Sequence, residues 1–523
     1  MTILGNKDLR KGAVPFFLTI VVSFLFGLFL SQRRVIDPFL YYDLAFVKSF
    51  LGESLPTIPS TGPLSSLSLA PGRIYLLLAL SSSLGMDSEV LGFLPIGSLL
   101  IAASFFILMN EITGAPWVSA LATMYLCLNL SHATAIYSVF AYAFALPIFF
   151  AFVLYADKYS KSRSVKSFLI LFLLFVALNT IHYTVASWAI FFLSGLFMIR
   201  YLQNFRLNKA VSGSIQGLLL SSLILIIVFL GFNQALYNAY IPHINPQTLQ
   251  SAYERFLSYI TLSPNLNTSP YAYIRPSSIN LISTSTLLII VVTAIAGFLF
   301  ECYRILIQRK GWDILDDEVI LLMTFILVGV ADVVIYSFRG SISTKSISIL
   351  FPISAFIFLK RLGKSWVMLM FSFCLLISSI TKIFIFENES YVIRGNGTRI
   401  EDVQKSMNWL KEYESDERFN ILADLNLYGK YLLLSGKNET PLLEALSQEN
   451  YGALIGSKVQ VDAPISADLV AIDLNSHQPA LGFVWSGFKP IVEFTERIRS
   501  NPKNSILYDD GDILIGGYSS LGD

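Results

Sequence analysis

Eleven apolar runs of membrane-spanning length follow one another through residues 1–385 of this 523-residue chain. A helix of roughly 20 apolar residues matches the hydrocarbon thickness of a bilayer, so each run is a candidate span. The runs lie at about residues 14–31, 90–109, 116–131, 136–156, 167–181, 183–199, 214–232, 282–303, 318–337, 346–359 and 366–385. The pattern predicts a mainly α polytopic membrane protein with about 11 transmembrane helices.

Composition agrees with this class and argues against others. Hydrophobic residues make up 54% of the chain and charged residues only 14%, far from the balance of a soluble domain. The net charge is +1 and no basic stripe is present, which argues against a nucleic-acid partner. Cys127, Cys302 and Cys374 lie in or at the end of apolar runs, which is typical of small buried side chains and not of a metal site.

The short basic segments between the runs predict the orientation. With the N-terminus in the cytoplasm, all of them fall on the cytoplasmic side, as the positive-inside rule requires. Their basic residues are Lys7, Arg10, Lys11, Lys158, Lys161, Arg163, Lys166, Arg200, Arg206, Lys209, Arg304, Arg309, Lys310, Lys360, Arg361 and Lys364. We therefore expect a multi-pass protein of the cell membrane, with a transmembrane domain at residues 1–385 that has extracytoplasmic loops at 32–88 and 233–281. The C-terminal domain is then extracytoplasmic.

Residues 386–523 change character, because charges and turn residues return and the apolar runs shorten to strand length. The predicted elements are a helix with the apolar stripe Ile400, Val403, Met407 and Leu410, strands at 419–423 and 469–474, a helix from Thr440-Pro441 to about residue 448, and a hairpin turning at Asp510-Gly511. Together they indicate a small soluble α/β domain.

The loop after the first run carries two acids, Asp37 and Asp43. Asp37 is placed as an N-cap, Pro38 at the first helical position and Gly52 just past the end, which predicts a helix of about 14 residues. Apolar residues cover much of its surface, as expected of a helix lying at the membrane interface. Asp37 thus has two interpretations, a helix cap or a reactive carboxylate held at the membrane surface.

An acid inside an apolar run is a further candidate. Asp332 lies in the run ending VGVADVVIYSFRG, where stranding a charge costs about 2.5 kcal/mol or more, so either a functional role or a polar partner within the bundle is expected. Arg339 lies two helical turns further on, at the outer end of the same run. Its guanidinium could bind a phosphate group bidentately or anchor the helix end at the interface.

The order of these features resembles the C-type membrane glycosyltransferases, a family that includes oligosaccharyltransferase catalytic subunits and protein mannosyltransferases, and it is most similar to archaeal members. The segments concerned are DPFLYYDLAFVKSFL, GESLP, SLAPGRIYLLLALSSSLG, NEITGAPW and RGSISTKSISILFPISAFIF. The first is similar to the oligosaccharyltransferase pattern Asp-Pro-Trp-Tyr-His-Tyr, beginning at Asp37. The last is similar to the family's arginine-bearing segment before a late span.

The resemblance implies a polyprenyl-phosphate-linked sugar donor, with Asp37 as general base, Asp43 as auxiliary acid and Arg339 as a contact to the donor phosphate. An acceptor hydroxyl must lose its proton, and the leaving phosphate needs cationic stabilisation. The chain departs from the family pattern in having Tyr41 at the histidine position and no carboxylate in the segment NLSHATA at 129–135, and it lacks the Trp-Trp-Asp motif. These departures disfavour a divalent metal and en bloc oligosaccharide transfer, and they leave no certain cofactor.

We therefore expect a membrane glycosyltransferase of the cell envelope that moves one sugar from a polyprenyl-phosphate donor to an extracytoplasmic glycan or protein acceptor, in contact with membrane lipid. Two alternatives remain. One is a transporter or lipid flippase with Asp332 as the coupling or substrate-binding charge, although the sequence shows no internal repeat of the kind common in transporters. The other is a catalytically inactive relative that serves surface assembly.

Overall fold

The computed structural model describes most of the apolar part of the chain and the framework of the C-terminal part. The described residues are 6–32, 44, 47, 72–86, 94–129, 141–162, 164–206, 213–233, 250, 277–306, 315–338, 344–363, 365–388, 400–413, 420–423, 427, 430, 431, 442–445, 469–474, 506–511 and 513–517.

Helices make up the described part of residues 1–388. They are α1 (Asn6–Gln32), α2 (Gly72–Leu84), α3 (Ile96–Thr113), α4 (Pro116–Leu128), α5 (Ala141–Ser162), α6 (Val165–Ile181), α7 (Tyr183–Arg206), α8 (Gly213–Phe232), α9 (Ser277–Leu306), α10 (Asp317–Phe338), α11 (Thr344–Arg361) and α12 (Ser365–Asn388). Each of the eleven predicted apolar runs overlaps one of these helices over the described residues. The mainly helical class is therefore confirmed.

Six of the described helices are long and apolar enough to cross a membrane. Their apolar windows are Gly12–Phe29, Ile96–Thr113, Tyr142–Lys161, Tyr183–Phe205, Ser285–Ile305 and Ser365–Phe384. Helices α4, α6 and α8 are also apolar, but the apolar part of each is shorter. The number of spans shown by length and composition is thus six, and the figure of eleven stays a prediction.

One apolar helix was not anticipated. Helix α2 lies inside the predicted outer loop 32–88, and its first residue, Gly72, lies against the end of α6. A Cβ atom on Gly72 would be 2.7 Å from the Thr180 hydroxyl oxygen and 2.9 Å from the Thr180 carbonyl oxygen, so this close approach needs glycine.

Helix α10 runs antiparallel to both α7 and α11, and side-chain contacts fix the register of these pairs. The ring of Phe192 on α7 lies 5.1 Å from that of Phe325 on α10. A Cβ atom on Gly329 of α10 would be 2.5 Å from the ring of Phe351 on α11, so these two helices are in close contact. Antiparallel packing brings the C-terminal ends of α5, α7, α9 and α11 together with the start of α10.

We call this the basic end of the bundle, because it holds Lys161, Arg200, Arg304, Lys360 and Arg361. The other end, where α7 and α11 begin and α10 and α12 finish, is called the opposite end.

The C-terminal part contains α13 (Ile400–Tyr413) and a five-stranded sheet in the order β2-β1-β3-β5-β4. The strands are β1 (Asn420–Ala423), β2 (Leu442–Ala445), β3 (Leu469–Asp473), β4 (Ile506–Asp509) and β5 (Ile513–Gly517). Val403, Met407 and Leu410 of α13 are buried, as their spacing predicts. The hairpin between β4 and β5 is also confirmed, with Gly511 at φ +85°.

One predicted element of this part is wrong. The helix expected from Thr440-Pro441 to about residue 448 is replaced at Leu442–Ala445 by β2, which pairs in parallel with β1. The Thr-Pro pair is a local start signal, and pairing with a neighbouring strand outweighs it here. Thr440 and Pro441 themselves lie outside the described residues.

Candidate functional site

The residues to which the sequence assigns the chemistry lie largely outside the described part of the chain. Asp37, Asp43 and Arg339 are all in this position. In the predicted opening helix, Leu44 and Val47 are described, and both are helical and buried. Their spacing of three residues places them on one face of a helix, which is consistent with the predicted interfacial helix.

Asp332 is described, and it lies inside the bundle with 2% of its surface exposed. The indole Nε1–H of Trp188 on α7 donates a hydrogen bond of 2.6 Å to Asp332 Oδ1. Trp188 is fully buried, and its ring contacts Phe149 of α5 edge-on. The polar partner expected for an acid at this depth is therefore present, on a neighbouring helix.

The depth of Asp332 is fixed from two helices. It lies six residues before the end of α10 at Phe338, which is about 9 Å along a helix axis. Trp188 lies five residues after the start of α7 at Tyr183, or about 8 Å. Both helices thus place the pair in the third of the bundle nearest the opposite end.

Other polar side chains lie at the opposite end, most of them buried and His182 half-buried. The rings of Tyr142 on α5 and His182, between α6 and α7, lie 4.1 Å apart. The side-chain Nδ2 of Asn233, at the end of α8, donates a 2.8 Å hydrogen bond to the side-chain Oδ1 of Asn179 on α6, and both residues are buried. This end of the bundle therefore contains several buried polar groups that do not form ion pairs with one another.

At the basic end, by contrast, many of the described charged side chains form ion pairs. Asp317 at the start of α10 accepts from Lys161 of α5, at 3.0 Å, and from Arg200 of α7. Burial alone would raise the pKa of the Asp317 carboxyl, but these two cations outweigh it and hold the pKa below its usual value. One carboxylate thus joins three helices.

A second group of ion pairs joins α9, α10 and α11. Glu301 of α9 has a fully buried side chain, with Arg361 of α11 at 2.9 Å and Arg304 at 3.3 Å. Arg361 also pairs with Asp316, and Lys360 lies 2.8 Å from Glu318. Lys360 Nζ further donates to the carbonyl oxygen of Ile112 on α3, at 2.6 Å. The basic end is therefore held together by electrostatic contacts among six helices.

Metal-ligand chemistry is not visible in the described part of the chain. Among these residues, no three His, Cys, Asp or Glu side chains come together as a possible metal site. Asp332 is adjacent to an indole N–H donor, which suits a hydrogen-bonded carboxylate.

Sequence reasoning identified Asp332 and missed its partner. Trp188 lies 144 residues away in the chain, and a tryptophan in an apolar run gives no local signal of a buried hydrogen bond. Sequence reasoning also missed Lys382, which lies inside the last apolar run and is 2% exposed. That signal was available, because a lysine within an apolar run is an ionisable group at membrane depth in the same sense as Asp332.

Comparison with models of known protein families finds no matching family, and comparison with curated proteins finds no match either.

Proposed function

We propose that this chain is a membrane glycosyltransferase similar to the C-type class, which moves a sugar from a polyprenyl-phosphate donor to an extracytoplasmic glycan or protein. In this proposal the chain crosses the cell membrane about eleven times, with the basic end in the cytoplasm and the C-terminal domain outside. The positive-inside rule supports the orientation, because five described basic residues, Lys161, Arg200, Arg304, Lys360 and Arg361, collect at the basic end.

The observation that carries the proposal is the difference between the two ends. Ion pairs join α5, α7, α9, α10 and α11 at the basic end. The buried acid Asp332 lies near the opposite end, in the same third of the bundle as the buried amides of Asn179 and Asn233. A one-sided arrangement of this kind suits an enzyme that takes a lipid-linked substrate from the outer leaflet.

The difference between the ends also bears on the transporter alternative. A transporter must expose its central site to both sides in turn, and such sites lie near the bilayer midplane between structural repeats. Asp332 lies about 9 Å from one end of α10 and about 22 Å from the other, so it is not central. Opening the basic end would require separating the Glu301–Arg361 pair, whose carboxylate is fully buried.

The residue roles follow from the chemistry of the transfer. The Asp37 carboxylate takes the proton of an acceptor hydroxyl, whose oxygen then forms a bond to the anomeric carbon. The bond from that carbon to the phosphate oxygen breaks, and the polyprenyl phosphate leaves with the electron pair. Asp43 assists as a second acid, and Arg339 stabilises the charge that develops on the phosphate. Asp332 with Trp188 supports the shape of the site from within the bundle.

Sugar transfer from a panel of polyprenyl-phosphate sugars tests the proposal. Purified wild-type protein in lipid vesicles should transfer sugar from at least one donor, and Asp37→Asn should lower the rate about 100-fold or more. Asp402→Asn is the matched control, because Asp402 lies on α13 of the C-terminal part and pairs with Lys405 of the same helix. If the wild type transfers sugar from none of the donors, the proposed function is contradicted. If wild type and Asp37→Asn transfer sugar at equal rates, the assignment of Asp37 as the general base is contradicted.

A further inference from the structure

Helices α10, α11 and α12 form two consecutive antiparallel hairpins whose register can be read from contacts. Between α10 and α11, Gly329 lies against Phe351, and Lys360 pairs with Glu318. In an antiparallel pair the numbers of facing residues have a constant sum, which is 680 for the first pair and 678 for the second. Position 332 of α10 is therefore level with positions 346–348 of α11.

The second hairpin is read in the same way. The rings of Phe356 on α11 and Phe371 on α12 lie 5.3 Å apart. This pairing places Ser346 level with Thr381, one residue before Lys382. Asp332, Ser346 and Lys382 therefore lie at one level of the bundle, on three consecutive helices, and all three are buried with 2%, 0% and 2% of their surface exposed.

Two buried serine hydroxyls at this level lack the hydrogen bond to a backbone carbonyl oxygen that serines in apolar helices usually make. Ser372 of α12 donates to the carbonyl oxygen of Met368 four residues earlier, as serines in apolar helices commonly do. The buried Oγ atoms of Ser346 and Ser379 have no hydrogen-bond partner among the described residues. Ser379 is three residues before Lys382, so the two share a face of α12.

The backbone contributes further donors at the same place. Ser346 is in the first turn of α11, where the N–H groups have no acceptor within the helix and the helix dipole favours an anion. A helix start, a buried hydroxyl beside it and a buried ammonium group at the same level are the components of an anion site. Holding an ionisable side chain inside a membrane bundle is costly, which is typical of positions that serve a substrate.

We propose that Ser346 and Lys382, with Ser379 on the same face of α12 as Lys382, bind the phosphate of a lipid phosphodiester at the opposite end of the bundle. The carboxylate of Asp332 lies at the same level and accepts its hydrogen bond from Trp188 of α7. Because like charges repel, this carboxylate favours a singly charged phosphodiester over a dianionic phosphate. Taken with the proposed function, on which this step rests, the ligand is the polyprenyl phosphodiester that joins lipid and sugar.

Equilibrium binding of a sugar-free probe tests this site without requiring turnover. The probe is radiolabelled polyprenyl methyl phosphate, a phosphodiester, and the protein is the full chain in neutral maltoside detergent. The wild type should bind it, and neutral polyprenol should bind at least about tenfold more weakly because it lacks the charge. Lys382→Met should weaken binding of the phosphodiester about tenfold or more, and Ser346→Ala about threefold.

Ser372→Ala is the matched control, since Ser372 is a buried serine of the same helix about 15 Å from Lys382 and its hydroxyl is bonded to the backbone. It should bind like the wild type. If Lys382→Met does not fold, Ser346→Ala decides, because it keeps the charge and nearly the same volume. Wild-type affinity in a folded Lys382→Met or in Ser346→Ala would overturn the site.

The remaining outcomes separate the ligand and the function. Competition by phosphatidylglycerol as strong as that by unlabelled probe would overturn the polyprenyl assignment, because the site would then accept any phosphodiester lipid. Binding that depends on Lys382 and Ser346, in a protein that transfers no sugar, would support the site and contradict the glycosyltransferase. Sugar transfer with an unchanged KM for the donor in Ser346→Ala would support the enzyme and contradict the site.

Discussion

At the scale of single residues, we expect the 2.6 Å hydrogen bond from Trp188 to Asp332 to contribute to the stability of the fold. Both side chains are buried, so removing the donor leaves the carboxylate with one bond fewer and no water to replace it. We predict that Trp188→Phe, which keeps an aromatic ring, lowers the free energy of unfolding by about 1–3 kcal/mol. Denaturant unfolding in detergent measures this.

The control for this prediction is Trp366→Phe, since Trp366 at the start of α12 is 66% exposed. A double-mutant cycle with Asp332→Asn isolates the contact from the loss of ring volume. Trp188→Phe should cost less in the Asp332→Asn background, where the charge is gone. Equal costs in both backgrounds would show that the indole acts through packing alone.

Single residues also show what a sequence can and cannot predict. Asp332 could be found because an acid within an apolar run conflicts with its surroundings. Its partner Trp188 could not, because the contact is set by the register of two helices far apart in the chain. Lys382 and Ser346 could be brought to one level only after the hairpins were aligned, and Asp37, Asp43 and Arg339 remain predictions.

At the scale of elements, Asp317 joins α10 to α5 and α7 through Lys161 and Arg200, and this contact should depend on pH. Its pKa is lower in the folded protein than its usual value of 3.8. A carboxyl of this kind stabilises the fold above the unfolded pKa and loses its contribution as the pH falls through the folded pKa. We predict that acidification from pH 6 to below about 4 weakens the basic end.

Thermal unfolding in detergent between pH 6 and pH 3 measures the effect, with Asp317→Asn as the variant that cannot titrate at this position. The unfolding temperature of the wild type should fall further between pH 6 and pH 3 than that of Asp317→Asn. Asp402→Asn, which removes a carboxylate from the C-terminal helix, should keep the wild-type pH dependence at the membrane bundle. Identical pH profiles for wild type and Asp317→Asn would contradict the prediction.

Elements differ in how well their sequence determines them. The apolar runs became helices even where they contain a proline, as at Pro15, Pro147 and Pro352, because their length and continuous apolar character outweigh one helix-breaking residue. Helix α2 was missed because the sequence before it is rich in serine and proline and the helix has only 13 residues. Strand β2 was wrongly predicted as a helix because four residues, LLEA, have no strand pattern of their own, and pairing with β1 decides their conformation.

At the scale of the whole molecule, the orientation of the bundle determines which chemistry is available to it. If the basic end is cytoplasmic, then the level of Asp332, Ser346 and Lys382 faces the outer leaflet, and the C-terminal sheet lies outside. Positive charge at the helix ends supports this orientation, although pairing with Asp317, Glu318 and Glu301 neutralises much of it.

Cysteine labelling in intact cells tests the orientation directly. In a background with Cys127, Cys302 and Cys374 replaced by alanine, Leu362→Cys places a thiol at the turn between α11 and α12, at the basic end, where Leu362 is 42% exposed. Lys405→Cys places one on α13 of the C-terminal part, where the side chain is 70% exposed.

A membrane-impermeant maleimide should label Lys405→Cys in intact cells and Leu362→Cys only after lysis, because the proposed topology places one membrane crossing, by α12, between the two positions. The reverse pattern would place the polar level at the cytoplasmic leaflet. Labelling of both in intact cells would mean that α12 does not span, despite an apolar window from Ser365 to Phe384. Either result would remove the outer-face site on which the transferase proposal depends.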